Sequence, residues 1–468
     1  MSDSKANSEI IEREVLATAL PALKNERIYG YLDFIWIQGA FGIGAWALLL
    51  GSLAGLTVSA AEAIVLLLVG NCLGLALCAF YSAIFSRYGS EQFVLSRAPF
   101  GNRGGILQLL IWIPINFGWI AYCALVFGES MIELLPILWP NVPEIFTTEF
   151  PGATLFAILS IILPIYVAYK GPVWIKYFTW ITCPLILIII GGLMYSVLLG
   201  VGTEKLFSLN PPAPYGTRVQ SFMAVLEWSL GLGFAWAYYW GQYSRLAKSE
   251  VSAIHGPWWG WGPILVFASI FCAFGALVTG EYSPSKWLVI LGGPTYGAIG
   301  LILLILSTLG PIALLIYPAA ISAKVAFPRV TWGALVLLVS VPACILFFPQ
   351  VFYNYNVFLT LIGCLWTAYG AIVLADFYVI RKKRGYFTVN DMRDMYTMGK
   401  KFWYHGGFNI AAWIAYFSSL VVYLGLYDPI NVSTGFFGWG FPYISGLLAV
   451  FLYTFVIYLV LYKLVYRD

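Results

Sequence analysis

Residues Ile35 to Leu50 read IWIQGAFGIGAWALLL. The run is apolar enough to lie in a bilayer, yet Gly39, Gly42 and Gly44 crowd its middle beside the polar Gln38. A glycine inside a helix costs about 1 kcal/mol relative to alanine and lets the backbone leave helical geometry. A second run, Leu230 to Trp240 (LGLGFAWAYYW), has the same character, with Gly231 and Gly233 in mid-membrane. Two glycine-interrupted hydrophobic segments in corresponding places of two halves point to a transporter's binding site. There, unwound backbone offers N–H and C=O groups to a ligand, which lipid forbids and a polar cavity permits.

Composition sets the class. Hydrophobic residues make up 61% of the chain and charged residues 10%, against about 25% charged in a soluble domain. The chain is therefore an all-α polytopic membrane protein. Its net charge of +4 belongs to loops facing an anionic membrane surface and gives no basis for nucleic-acid binding. Cys72, Cys78, Cys123, Cys183, Cys272, Cys344 and Cys364 all fall in apolar segments without a CxxC pair, so they read as small buried hydrophobes. His255 and His405 are too few for a metal cluster. Residues 1–30 are polar and precede the first apolar run, so no cleavable signal peptide is expected.

A span needs about 20 mostly apolar residues. The sequence predicts twelve transmembrane helices, at 31–52, 60–85, 105–128, 153–170, 173–200, 219–241, 257–280, 296–318, 330–349, 356–379, 406–427 and 438–464. With the N-terminus inside, the inner loops carry Arg87, Arg97, Arg103, Lys170, Lys176, Arg245, Lys248, Lys324, Arg329, Arg381, Lys382, Lys383, Arg384, Arg393, Lys400 and Lys401. The outer loops carry Lys205, Arg218 and Lys286, and sixteen against three places both termini in the cytoplasm. Spans 1–5 then run opposite to spans 6–10. This is the signature of a five-plus-five inverted repeat with helices 1 and 6 broken. The expected organisation is an N-terminal segment 1–30, a first repeat 31–200, a second 219–380 and two additional helices within 406–464.

Glu227, in AVLEWSLGLGF, lies well inside span 6. An intramembrane carboxylate is costly and is a functional candidate by default. It reads as a proton carrier or a partner for a cationic substrate; the structural alternatives are a hydrogen bond between helices or a place in a watery vestibule.

Two loops carry a family resemblance. Ser86 to Gly105 reads SRYGSEQFVLSRAPFGNRGG, and Ala375 to Tyr396 reads ADFYVIRKKRGYFTVNDMRDMY. Both resemble the nucleobase:cation symporter family, as do Pro311 and Pro318 in span 8 and the Phe327 to Val330 stretch that follows. The resemblance implies importers that stack a flat heterocycle between aromatics of spans 3 and 6. Trp119 falls on the stacking position of span 3, with Asn116 one turn earlier; the alternative is a packing tryptophan among nineteen. Phe234, beside the break expected at Gly233, would be the opposing aromatic, with Trp236 as the alternative. A sodium site is implied at the carbonyls of Gln38 and Phe41 and the hydroxyls of Ser307 and Thr308. Carbonyls freed by a break suit a hard cation, Gln38 also offers its amide to a ligand edge, and serine and threonine otherwise bond back to their own helix. Gly42, Cys123 and Leu314 stand where the family's hydantoin carriers have polar side chains, which argues against hydantoin because apolar residues cannot offset a ligand's desolvation. Asp376 resembles the family's aspartate at the end of span 10 and reads as a structural partner for a nearby arginine.

These readings converge on a secondary active transporter in the cell membrane. It would import a small planar N-heterocycle, a purine, pyrimidine or related ring, by alternating access coupled to a proton or sodium ion, with no other cofactor. Within the family the alternative is a vitamin-precursor, hydantoin or ureide carrier. A channel would need a continuous polar stripe, and a membrane enzyme a cluster of His, Asp or Glu at one face; the sequence offers neither.

Overall fold

The first glycine-rich run folds as two helices, α1 (Tyr31–Gly42) and α2 (Ala45–Thr57), bent by 49° where Ile43 and Gly44 leave helical geometry. The structure, a computed structural model, describes residues 21–383 and 385–466. Residues 1–20 of the expected N-terminal segment, Arg384 of the basic run and the side chain of Cys78 lie outside the described residues. The chain continues through α3 (Ala60–Tyr88), α4 (Asn102–Leu138), α5 (Ile162–Lys170) and α6 (Pro172–Val201). The second half comprises α7 (Arg218–Ala235), α8 (Trp240–Ser244), α9 (Gly262–Thr279), α10 (Pro284–Ala326), α11 (Trp332–Leu338) and α12 (Tyr355–Leu374). Helices α13 (Ile410–Leu426) and α14 (Gly446–Val465) follow, separated by a small hairpin that pairs Tyr427 with Thr434.

Among the described residues, eight helical stretches are long and apolar enough to cross a membrane, or nine with α1 and α2 taken as one bent span. Three expected spans fall short. That at 219–241 is cut because α7 stops at Ala235 and a tight turn, Trp236–Tyr238, precedes α8. That at 330–349 is cut because α11 ends at Leu338 and only a 3-10 turn, Val341–Leu346, follows; Pro342 there lacks an N–H to donate. That at 406–427 is 17 residues long, started by the Asn409 cap and ended by the hairpin. The last span is also shorter than expected, because Gly438 and Gly440, both at positive φ, hold a turn before Gly446.

The most extensive pairings join α4 to α10, α2 to α9 and α3 to α7. In lipid, helices associate by close backbone approach at small residues. A Cβ at Gly51 or Gly55 of α2 would collide with the carbonyl oxygens of Ser269 or Ala273 of α9. Gly70 and Gly74 of α3 lie in the same way against Ser229 and Gly233 of α7. Large apolar side chains point outward instead, such as Ile181 and Ile188 on α6 and Leu452 and Leu464 on α14, as a lipid-facing surface requires.

One end of the bundle is basic. There the α3–α4 connection is gripped by the segment between α12 and α13. Arg97 and the Asn102 amide both donate to Met395 O, at 3.0 and 2.7 Å, and Asn409 donates to Pro99 O at 2.6 Å. Arg381 bonds both oxygens of Asp376 at 3.0 and 3.2 Å, and Tyr458 of α14 donates to the same carboxylate at 2.8 Å. The opposite end is acidic, with Glu129, Glu133 and Glu149 around Lys286.

Candidate functional site

The two helix interruptions meet in a buried cluster of aromatic rings, the aromatic chamber. Trp236, in the turn after α7, lies with its ring 5.2 Å from Phe41, 4.8 Å from Trp46, 5.6 Å from Trp119 and 4.3 Å from Trp261. Tyr239 and Phe358 close further sides, at 4.9 Å from Trp236 and 5.2 Å from Trp119. All four indoles are fully buried. Trp46 donates to Phe41 O at 2.7 Å, capping a carbonyl that the bend releases. The indole N–H groups of Trp119, Trp236 and Trp261 are buried without acceptors, and so are both amide atoms of Gln38. An unmet buried polar group costs roughly 1–3 kcal/mol.

The chamber walls are fixed by hydroxyls aimed at backbone. Pro318 cannot donate to Leu314 O, one turn before it, and Tyr243 Oη takes that place at 2.9 Å. Tyr355 Oη donates to Trp46 O at 2.9 Å. Gln92, from the α3–α4 connection, mends the second interruption: its amide donates to Ala237 O at 2.6 Å and accepts from Gly241 N at 2.8 Å. Position 241 must be glycine for this, since a Cβ there would strike Gln92.

The structure brings some expected residues together and separates others. Trp119 is in the chamber, and it is Trp236 that faces it. Phe234 does not; it stacks on Phe451 of α14 at 5.8 Å, because α7 runs unbroken through Gly231 and Gly233 and turns only after Ala235. Gly233 serves packing, against Asn71 and Gly74, and a Cβ at Gly42 would come within 3.2 Å of Trp261 O and Leu265 N. Asn116 accepts from Tyr239 Oη at 2.8 Å and donates to Leu315 O at 3.4 Å, so it braces α4 against α10 and the turn. Cys123 lies at the backbone N–H of Ala45, where α2 begins. Leu314 contributes its carbonyl to the wall. Glu227 is fully buried on another face of α7, where its carboxylate meets the start of α14: it accepts Leu447 N at 3.2 Å and lies against the Ser445 hydroxyl and the Gly446 N–H. Among the expected cation ligands, Phe41 O is engaged by Trp46 and by Gly44 N. Ser307 and Thr308 bond back to Leu304 O and Ile305 O, at 2.7 and 2.8 Å. Among the described residues no three His, Cys, Asp or Glu side chains converge as metal ligands.

Sequence reasoning passed over Trp46, Trp261, Tyr239 and Gln92. Trp46 stands two residues beyond Gly44, and Trp261 ends the run WWGW, so proximity to a break was the available signal.

Eight or nine helical stretches among the described residues that are long and apolar enough to cross a membrane, with two helix interruptions where a buried aromatic cluster forms, are the features of a multi-pass membrane transporter. The chain belongs to the family of permeases for cytosine/purines, uracil, thiamine and allantoin, whose family model matches residues 24–448. It is thus a permease and not an enzyme. It is 22% identical to the allantoin permease of Bacillus subtilis (strain 168), over 98% of this chain and 95% of that one. It is 21% identical to the hydantoin permease of Microbacterium maritypicum, over 84% and 78%. Its fold matches that of Mhp1, a nucleobase-cation-symport-1 family transporter, closed with bromovinylhydantoin bound. The TM-score is 0.76 at 16% identity, and the match covers 96% of both chains. MhsT in complex with L-phenylalanine matches with a TM-score of 0.54 at 13% identity, over 92% of this chain and 97% of that one.

Proposed function

We propose that the protein is a secondary active importer of a small planar N-heterocycle that binds between Trp119 and Trp236, whose rings lie 5.6 Å apart and part to admit it. The observation that carries this reading is the buried indole cluster with three unpaired N–H groups. A flat ring gains dispersion on indole faces, and its carbonyl or ring-nitrogen acceptors answer the donors. Purines, pyrimidines, hydantoins and ureides all present such edges. The names of the two relatives, an allantoin and a hydantoin permease, favour the ureide and hydantoin members of that set.

Twelve spans follow if the three short or broken segments also cross the bilayer, with the basic end in the cytoplasm and the protein in the cell membrane. The helix pairings support an inverted repeat, 31–200 and 219–380. Exchanging span 1 with span 6 and span 2 with span 7 turns the α2–α9 glycine seam into the α3–α7 seam. That four-helix unit rocks against the α4–α10 pair to give alternating access. The coupling cation is a proton or sodium, and it must favour the substrate-loaded state, because only differential affinity couples two ligands.

The test is uptake into proteoliposomes of a labelled panel of purines, pyrimidines, hydantoins and ureides, under a sodium gradient, a proton gradient or neither. Concentrative uptake of one ring under one gradient is expected, and no uptake of any ring would overturn the substrate class. Glu227, a fully buried carboxylate among apolar helices, is the proton candidate. Glu227→Gln then abolishes gradient-driven uptake while sparing exchange; undiminished accumulation would reduce Glu227 to a cap on α14.

A further inference from the structure

Beside Gln92, the α3–α4 connection carries a carboxylate that the aromatic chamber does not use. Glu91 is buried, and its Oε2 accepts the N–H groups of Phe93 and Val94 at 2.7 and 3.1 Å. Its Oε1 accepts from Ser322 Oγ of α10 at 2.6 Å. Gln242 of α8 donates to that same Ser322 Oγ at 3.0 Å, and Arg245, capping the end of α8, attracts Glu91 electrostatically. Ser322, Gln242 and Arg245 are also buried. One side chain therefore joins three elements: the α3–α4 connection, the second half of the interrupted helix, and α10.

This junction lies between the aromatic chamber and the basic end. Tyr243 and Gln242 of α8 bond to Leu314 and Ser322 of α10, so a ligand leaves on this side only when α8 and α10 part. We infer that Glu91 is a positioning residue that latches the basic-end gate, holding α8 to α10 through Ser322 and Arg245. The inference rests on the alternating-access reading. A buried carboxylate is a poor source of stability, but it specifies one arrangement sharply, because its partners exist in that arrangement alone.

Glu91→Gln sets an amide NH2 against the Phe93 and Val94 N–H groups or against Ser322 Oγ, so accepting bonds are lost in either protonation state of the carboxyl, and the open population should rise about tenfold or more. The measurement is the rate at which a charged, membrane-impermeant maleimide modifies a reporter cysteine in nanodiscs, where both faces meet solvent. Ser244→Cys reports on the gate: Ser244 is buried at the end of α8 and its hydroxyl has no partner. Ser130→Cys reports on the far seam, where Ser130 meets Ser285 across α4 and α10 at 3.1 Å. Rates are taken relative to the chain without the reporter.

Adding Glu91→Gln should speed labelling at Ser244→Cys at least tenfold and leave Ser130→Cys slow. Ser322→Ala, a milder change that keeps the carboxylate, should do the same to a smaller degree. Unchanged labelling at Ser244→Cys in both backgrounds overturns the latch. Equal acceleration at both reporters also overturns it, since that is a loosened fold and not an opened gate. Labelling needs no substrate, so the latch and the transport reading fail separately: wild-type uptake in the ring panel judges the second.

Discussion

At the scale of single residues, the chamber separates two aromatics that the sequence could not. Phe234 and Trp236 are two residues apart across the end of α7, and which one faces Trp119 depends on where that helix ends. Because α7 persists to Ala235, Trp236 enters the turn and Phe234 stays on the α14 side. Trp236→Ala should raise the apparent KM for the transported ring at least about tenfold, the loss of one stacking face and its buried area. Phe234→Leu keeps an apolar contact with Phe451 and should change KM less than about twofold; equal effects would remove Trp236 from the site. A second prediction concerns Glu91, which lies outside the spans. Burial pushes its carboxyl above the usual range, opposed by Ser322, by the N–H groups of Val94 and Phe93, and by Arg245. The other titratable groups that feel it are Arg97, Tyr369 and Tyr396. A raised folded-state pKa means that the folded protein holds this proton more tightly than the unfolded chain. The stability that this gives is complete below the unfolded value and is lost as pH rises through the folded one. Glu91→Gln does not titrate, so its melting temperature relative to wild type should be higher near pH 8 than near pH 5. A pH-independent difference would mean that burial does not raise the pKa of Glu91.

At the scale of elements, glycine has two meanings that composition does not distinguish. Gly44 lies at the 49° bend between α1 and α2. Gly231 and Gly233 carry the same signature, yet both stay helical: Gly231 approaches Gly363 of α12, and Gly233 approaches α3. A helix passes through a glycine whose hydrogen atom faces a neighbour's backbone, because the contact restores what propensity loses. That partner is invisible in one sequence, as is Gln92, whose role depends on a backbone more than a hundred residues away. Span positions, by contrast, were legible from apolar length alone wherever a helix is continuous. The seams give an element-scale prediction. Gly51→Val or Gly55→Val places a branched side chain into the backbone of α9 and should cost about 3 kcal/mol or more by overpacking, read as thermal unfolding in detergent. Gly200→Ala in α6 meets nothing within 4 Å, and should be neutral or up to about 1 kcal/mol more stable by helix propensity. Similar melting temperatures for Gly51→Val and Gly200→Ala would deny the close α2–α9 approach.

At the scale of the whole molecule, the two additional helices are tied to the transport core at a few polar points, and the basic-end point is the strongest. Asp376, at the end of α12, and Arg381 form an ion pair that is almost fully buried. Tyr458 brings in α14, and Arg381 also donates to Tyr404 Oη at 2.9 Å and to Ala98 O at 3.3 Å. One pair thereby holds α12, α14, the segment before α13 and the α3–α4 connection that carries Glu91 and Gln92. Removing one member leaves the other charged and buried, which costs about 3–5 kcal/mol, whereas replacing both by neutral side chains of similar size is often neutral. Asp376→Asn should therefore unfold well below wild type and expose residues 385–409 to protease. Arg381→Met added to it should restore most of the stability, because Tyr404 already donates to Ala98 O at 2.7 Å and keeps that carbonyl satisfied without the guanidinium. Melting temperature and the rate of proteolysis of the two variants decide the matter. If the double variant is as unstable as the single one, the pair contributes attraction of its own across these elements, and the cost does not come from the stranded arginine charge alone.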